Sequence, residues 1–278
     1  MRFIFVDRIL KLEKGKYAEG IKNVSFSDEY LVHRVPNFPV MPRSLTVEAI
    51  AQLISWLVIF TTDFSAKPIA VTTEETKFLG DVRPGDQMLL KAEINSMHEE
   101  DALCSGSAEV NGKIVTELKN GICAFIPIEE LEDISVVKEM AFSLFPDRSF
   151  QDFLDYKKSN PGTNSHFHRN NFDLNAVDKV LEIENGKRIL GVKSFTMTED
   201  FGSDHFPVKP VMPGTMIIEA FVQLSEKLLS STIKEKTGAI IKIIPKGSRK
   251  IKFRRYVRPG DQMILEVNLS NLQDDIAV

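Results

Sequence analysis

Two cysteines, one tryptophan and four tyrosines are all that 278 residues contain of these types. So few thiols exclude a disulfide framework and fit a reducing cytoplasm. Cys104 and Cys123 both fall in strand-like runs and read as small buried hydrophobes. There is no excess of either charge: 35 Lys and Arg face 39 Asp and Glu, a net charge of −4. No basic surplus of the kind a nucleic-acid binder carries is present. Met1-Arg2-Phe3-Ile4-Phe5-Val6-Asp7 meets charge too soon to be a secretory signal. The longest charge-free apolar stretch, Ala49 to Thr62, is shorter than the ~20 residues of a membrane span and contains Gln52 and Ser55. It reads as a buried helix, so no membrane span is expected. His166 and His168 have no third ligand at metal spacing, so no metal site is expected either.

What the sequence does have is proline in a telling place. Asp204-His205-Phe206-Pro207-Val208-Lys209-Pro210-Val211-Met212-Pro213-Gly214 runs into Thr215-Met216-Ile217-Ile218-Glu219-Ala220. Each proline lacks an N–H and fixes φ near −65°, which excludes a helix or a central strand. His205 is therefore held on a stiff loop. A helical apolar pattern follows Pro213 to about Leu229, placing Gly214 in its first turn, where backbone N–H groups are unpaired.

The same stretch occurs earlier. Arg34-Val35-Pro36-Asn37-Phe38-Pro39-Val40-Met41-Pro42-Arg43, then Ser44 to Ala49, matches it at an offset of 171 positions, Arg34 answering His205. Val6-Asp7-Arg8 answers Val177-Asp178-Lys179, and Arg83-Pro84-Gly85-Asp86-Gln87 answers Arg258-Pro259-Gly260-Asp261-Gln262 with four more residues of shift. The chain is a tandem duplication. We assign residues 1–126 to a first domain, 127–171 to a partly helical linker and 172–278 to a second domain.

In the first domain, strands are expected on both sides of the turn Glu13-Lys14-Gly15-Lys16, then a helix from about Arg43 to Phe60, apolar nearly all the way round. From Ile69 to Phe125 strand follows strand, with Asn111-Gly112 marking a hairpin and Lys113 to Phe125 one strand or a pair. The linker has helical spacing from Glu129 to Phe145, another turn or two over Phe150 to Lys158, and a loop at Ser159 to Asn164. After Asp261-Gln262 only sixteen residues remain, which is two strands short of the first repeat. An incomplete sheet exposes unpaired edges, so the natural polypeptide is expected to be longer, or another chain to cover the gap.

His205-Phe206-Pro207, Pro210-Val211-Met212-Pro213-Gly214, Glu219-Ala220 and the downstream Arg258-Pro259-Gly260-Asp261 resemble the β-hydroxyacyl-acyl carrier protein dehydratases of the FabA/FabZ type. Glutamate as the acid is closer to the FabZ branch. The resemblance implies an α+β double hotdog fold, each half a long central helix wrapped by an antiparallel sheet. It implies composite sites, with the His loop and Gly from one half and the acid from the other. It implies no cofactor and no metal, the phosphopantetheine arm belonging to the substrate. Acyl carrier protein is then the partner, with a homodimer or larger assembly of double hotdogs open.

Carried over position by position, one site takes His205 and Gly214 with Glu48. Neutral His205 suits removal of a proton α to a thioester. The Gly214 N–H suits a developing oxyanion. Glu48, buried in an apolar helix, suits an acid of raised pKa. The other site takes Arg34, Arg43 and Glu219 and is degenerate. Guanidinium does not act as a base, Arg43 replaces the Gly, and alternation points His33 away. A salt bridge from Arg34 or Arg43 to Glu219 is expected there.

Seven basic residues, Lys246, Arg249, Lys250, Lys252, Arg254, Arg255 and Arg258, stand where the first repeat has Glu74, Glu75 and Asp81. They read as a docking face for the acidic carrier, or as a solvated strand face. A hotdog thioesterase and a non-catalytic acyl- or carrier-binding scaffold are the alternative functions.

Overall fold

A computed structural model describes residues 3–25, 28–31, 39–145, 176–196, 199, 201, 204–239, 241, 243–273 and 276–278. Strands β1 (Arg8–Glu13) and β2 (Tyr17–Asn23) flank the expected turn and lead to helix α1 (Arg43–Thr61). Because apolar residues surround α1, no face of it can be given to water, and 13 of its 19 residues are buried. By length and composition alone α1 could cross a membrane; here it is the enclosed helix of a sheet.

The wrapping strands are β3 (Ala66–Phe78), β4 (Gln87–Met97), β5 (Asp101–Val110) and β6 (Lys113–Pro127). Lys113 to Pro127 forms one strand of 15 residues rather than a pair. Helix α2 (Ile134–Ser143) follows, shorter than the sequence pattern. It starts only where Asp133 accepts the Ser135 N–H at 2.8 Å. The second half contributes β7 (Lys179–Glu184), β8 (Arg188–Ser194), α3 (Gly214–Thr237), β9 (Gly247–Lys252), β10 (Gln262–Asn268) and a small hairpin of β11 (Leu272–Gln273) and β12 (Ile276–Ala277). Helix α3 runs two turns past Leu229 and stops at Gly238, whose φ of 71° is left-handed. The helical turns expected over Phe150 to Lys158, the loop expected at Ser159 to Asn164, and His166 and His168 lie outside the described residues.

The first sheet is antiparallel with order β1-β2-β4-β5-β6-β3-β9; the second is β10-β8-β7. This is the hotdog arrangement in tandem, with β9 of the second half pairing β3 of the first. Duplication is visible in the contacts. Gly15 N–H donates to Thr61 Oγ1 at 2.8 Å, and Gly186 N–H to Thr232 Oγ1 at 2.8 Å. Lys22 pairs with Asp7 at 3.2 Å, and Lys193 with Asp178 at 3.1 Å. Helix meets sheet at glycine in both halves. A Cβ on Gly20 would lie 3.1 Å from Leu53, and one on Gly191 2.8 Å from Leu224.

The halves differ where strands are missing. Among the described residues, no counterparts of β5 and β6 stand between β10 and β9. Ile50 of α1 is fully buried against Gly106 of β5, whereas its counterpart Phe221 in α3 is 39% exposed.

Candidate active site

The loop after Phe201 holds His205 by its backbone. His205 N–H donates to Phe201 O at 2.9 Å, Val211 N–H donates to His205 O at 2.9 Å, and Val208 N–H donates to Leu131 O at 3.0 Å. Phe206 is buried with Leu131 and Val211, and its ring stacks on His205 with centroids 4.1 Å apart. The His205–Phe206 peptide is cis. His205 Nδ1 lies 3.0 Å from Val211 O. A carbonyl only accepts, so Nδ1 carries the hydrogen and Nε2 keeps a lone pair. Burial lowers the His205 pKa to about 4, and the Lys67 cation pushes the same way. The imidazole is neutral at pH 7.

Glu48 comes from the second turn of α1 and is 6% exposed. Thr215 of α3 donates its hydroxyl to Glu48 Oε2 at 2.6 Å, and Gln52 donates to Oε1 at 2.9 Å. Burial raises the Glu48 pKa, opposed by these two hydrogen bonds and by Lys67. A carboxyl raised in this way holds its proton to higher pH than a free one, and that proton can be donated.

Gly214 is the first residue of α3, behind Pro213, and no side chain caps that helix end. The Phe253 ring lies so close that a Cβ on Gly214 would meet it at 2.7 Å. Gly214 and Thr215 line the cavity, so the positive end of the α3 dipole lies at its wall. His205, Glu48 and Gly214 line one cavity of about 490 Å³, which continues along α1 past Ser55, Trp56 and Ile59. The same wall holds Lys67, which sits 4.4 Å above the Phe206 ring and pairs with Glu132. Thr215, Gln52 and Lys67 are not among the residues expected from the sequence. Thr215 and Gln52 could have been found, because they and Ser44 and Gln223 are matched at the repeat offset beside each glutamate. Lys67 could not, since nothing near it in the chain marks the cavity.

Around Glu219 the pattern is different. Ser44 donates to Glu219 Oε2 at 2.6 Å and Gln223 to Oε1 at 3.1 Å, mirroring the partners of Glu48. Arg43 does not pair with Glu219 as expected. Its guanidinium pairs with Asp81 at 2.7 Å, donates to Pro245 O and lies 5.9 Å from the centre of the Phe78 ring. Asp81 is a half-buried acid on the loop after β3, whereas Glu219 already accepts from a hydroxyl and an amide. Arg43, Ser44 and Glu219 line a smaller cavity of about 270 Å³. His33 and Arg34 lie outside the described residues.

The basic stretch also needs one correction. Arg249 stands opposite Glu75 across the β3–β9 pair and bonds it at 3.1 Å, so it is not part of an unopposed positive face. Glu75 of the first repeat and Arg249 of the second are cross-strand neighbours there, whereas Lys252 stands opposite Thr72. Lys252, Arg254, Arg255 and Arg258 are exposed, and Arg254 and Arg255 border the larger cavity.

The family model of the FabA-like domain matches residues 1–119 and 168–278. The 3-hydroxyacyl-[acyl-carrier-protein] dehydratase FabZ of Caldanaerobacter subterraneus is 40% identical over 99 residues, covering 35% of this chain and 67% of that protein. The protein of the same name from Bacillus cereus is 42% identical over 100 residues, 36% of this chain and 67% of its own. Among solved structures, the uncharacterized protein PH1136 of Pyrococcus horikoshii is 19% identical and overlaps 45% of this chain and 85% of its own, with a TM-score of 0.34, a likeness too slight to argue from.

Proposed function

This chain belongs to the FabA-like domain family, and on that premise we propose that it dehydrates a 3-hydroxyacyl chain carried as a thioester on acyl carrier protein. The product is the trans-2-enoyl thioester, as fatty acid synthesis requires. The observation that carries the reading is the single cavity to which His205 and Gly214 of one half and Glu48 of the other all turn.

In this reading His205 Nε2 removes the proton α to the thioester carbonyl. The electron pair left on carbon moves toward the carbonyl oxygen, where the Gly214 N–H and the α3 dipole stabilise the developing charge. Expulsion of the β-hydroxyl forms the carbon–carbon double bond, and Glu48 protonates the departing oxygen to give water. His205 ends protonated and Glu48 ionised, so one proton transfer between them, through solvent or product water, restores the site. This is proton transfer alone, and it draws on no resident cofactor; the phosphopantetheine arm comes with the substrate. Arg34, Arg43 and Glu219 make the opposite site inert, leaving one working site per chain, with residues 1–126 and 172–278 as its two halves. Lys252, Arg254, Arg255 and Arg258 are the docking face for the carrier, whose arm enters beside Arg254 and Arg255.

The deciding measurement is dehydration of a 3-hydroxyacyl thioester by wild type, His205→Ala, Glu48→Gln and Glu219→Gln. Loss of at least about 10²-fold in kcat for the first two, with Glu219→Gln close to wild type, supports the composite site. A lethal Glu219→Gln with a mild Glu48→Gln overturns the pairing. Hydrolysis to free acid makes the chain a thioesterase, and carrier binding without turnover makes it a scaffold.

A further inference from the structure

Helix α2 lies in the stretch between the two matched segments, 1–119 and 168–278, yet it forms part of the candidate site. The chain around it touches the C-terminal end of α1, with Lys138 over the Phe64 ring just beyond that helix. Val137, Ala141 and Leu144 are buried in the common core, Ile9 N–H donates to Leu144 O at 2.7 Å, and the Phe145 ring meets Phe60 edge-on at 5.3 Å. The i, i+4 pair Val136 and Met140 remains, and both line the larger cavity together with Trp56 and Ile59.

We propose that α2 is the length gauge for the acyl chain, with Met140 and Val136 forming the end of the cavity against Trp56 and Ile59. The proposal rests on the dehydratase reading for the identity of the ligand. Glu48 and Ile59 are eleven residues apart on α1, roughly 16 Å at the helical rise. An extended chain advances about 1.2 Å per bond, so roughly a dozen bonds of acyl chain fit between the reacting carbons and α2. Within that length each added methylene leaves water for an apolar wall and tightens binding about fourfold. Beyond it, further methylenes gain nothing or clash. Methionine suits this position because an unbranched, adaptable side chain fills an irregular end wall.

The test is calorimetric binding of 3-hydroxyacyl pantetheine amides, which lack the scissile thioester, in a series from four to eighteen carbons. The full chain is used as wild type, Met140→Trp, Met140→Ala and Val136→Ala. Wild-type affinity should climb and level off at about fifteen carbons, the dozen bonds added to the reacting carbons. Met140→Trp should level off several carbons earlier while binding the four-carbon ligand as wild type does. The two alanine variants should level off later, and they keep the test decisive if the tryptophan does not fold. One plateau shared by all variants overturns the gauge. Thioester turnover measured in parallel separates the two readings. Normal dehydration with an unmoved plateau sinks the gauge alone. A moved plateau with no dehydration by wild type sinks the dehydratase reading and leaves the gauge. Absence of binding at every length sinks both.

Discussion

Thr215 of the second half donates a 2.6 Å hydrogen bond to Glu48 of the first. Ser44 returns the bond to Glu219 at 2.6 Å, so each central helix holds the acid of the other through the hydroxyl in its first turn. Thr215→Val keeps the shape and removes the donor. One influence that lowers the Glu48 pKa is then gone, so the alkaline limb of kcat/KM should move to higher pH. A hydrogen bond to a carboxylate contributes about 1.5–3 kcal/mol, so loss of positioning should cost 10-fold or more in kcat. Thr215→Ser should restore both. Ser44→Val should leave turnover within about 3-fold, because the acid it serves belongs to the opposite site, which the proposed function reads as inert.

With His205 as the proposed base, its pKa should set the acid limb. With its pKa lowered to about 4, the base stays neutral through weakly acidic solution, and kcat/KM should fall only near that value rather than near 6.5. Lys67 contributes to the lowering, so Lys67→Met should move the limb upward. The same shift governs stability. Between pH 6.5 and about 4 the unfolded chain binds the proton and the folded chain does not. The contribution of His205 is therefore complete above the unfolded value and is lost as pH falls, by up to about 3 kcal/mol. Urea denaturation across this range should show the slope in wild type and a shallower one in His205→Phe.

Gly214 has no room for a side chain. Gly214→Ala forces a shift of the Phe253 ring or of the α3 N-terminus, since the added carbon would stand 2.7 Å from the ring. Overpacking of this kind costs about 1–3 kcal/mol. A movement of α3 displaces the N–H that the proposed function assigns to the oxyanion, so kcat should fall more than KM rises. Pairing it with Phe253→Leu should recover the melting temperature, and a double-mutant cycle showing strict additivity would reject the contact as the cause.

Charge reversal at Lys252, Arg254 and Arg255 tests carrier docking. The triple substitution to Glu should raise KM for the carrier-bound substrate at least 10-fold and leave a short pantetheine thioester nearly unchanged, with the difference shrinking at high salt. Equal effects on both substrates would reject docking. Arg249→Glu belongs to a different class. It loses its bond to Glu75 and sets two like charges opposite each other across β3 and β9, so it should lower stability before it changes KM.

Much of this arrangement was legible in residue order. The prolines from Pro207 to Pro213 forbid regular structure around His205, the apolar ring of α1 demands a sheet around it, and the repeat offset pairs Glu48 with Glu219. These are local or periodic facts, and the physics behind them acts over a few residues or repeats along the chain. The family resemblance added the pairing of His205 with the acid of the other half, which no periodicity contains.

What the chain order does not carry is which side chains meet after the halves close on each other. Lys67 influences both His205 and Glu48, Arg43 chooses Asp81 over Glu219, Arg249 finds Glu75, and α2 reaches the cavity from the linker. Each depends on burial and on distances of a few ångströms between segments far apart in sequence. Composition and spacing alone determined the duplication, the two central helices and the stiff histidine loop. Only the tertiary structure decided the tautomer of His205, the direction of each pKa shift and the residues that border the cavity, because desolvation and hydrogen bonding exist only once the chain has folded.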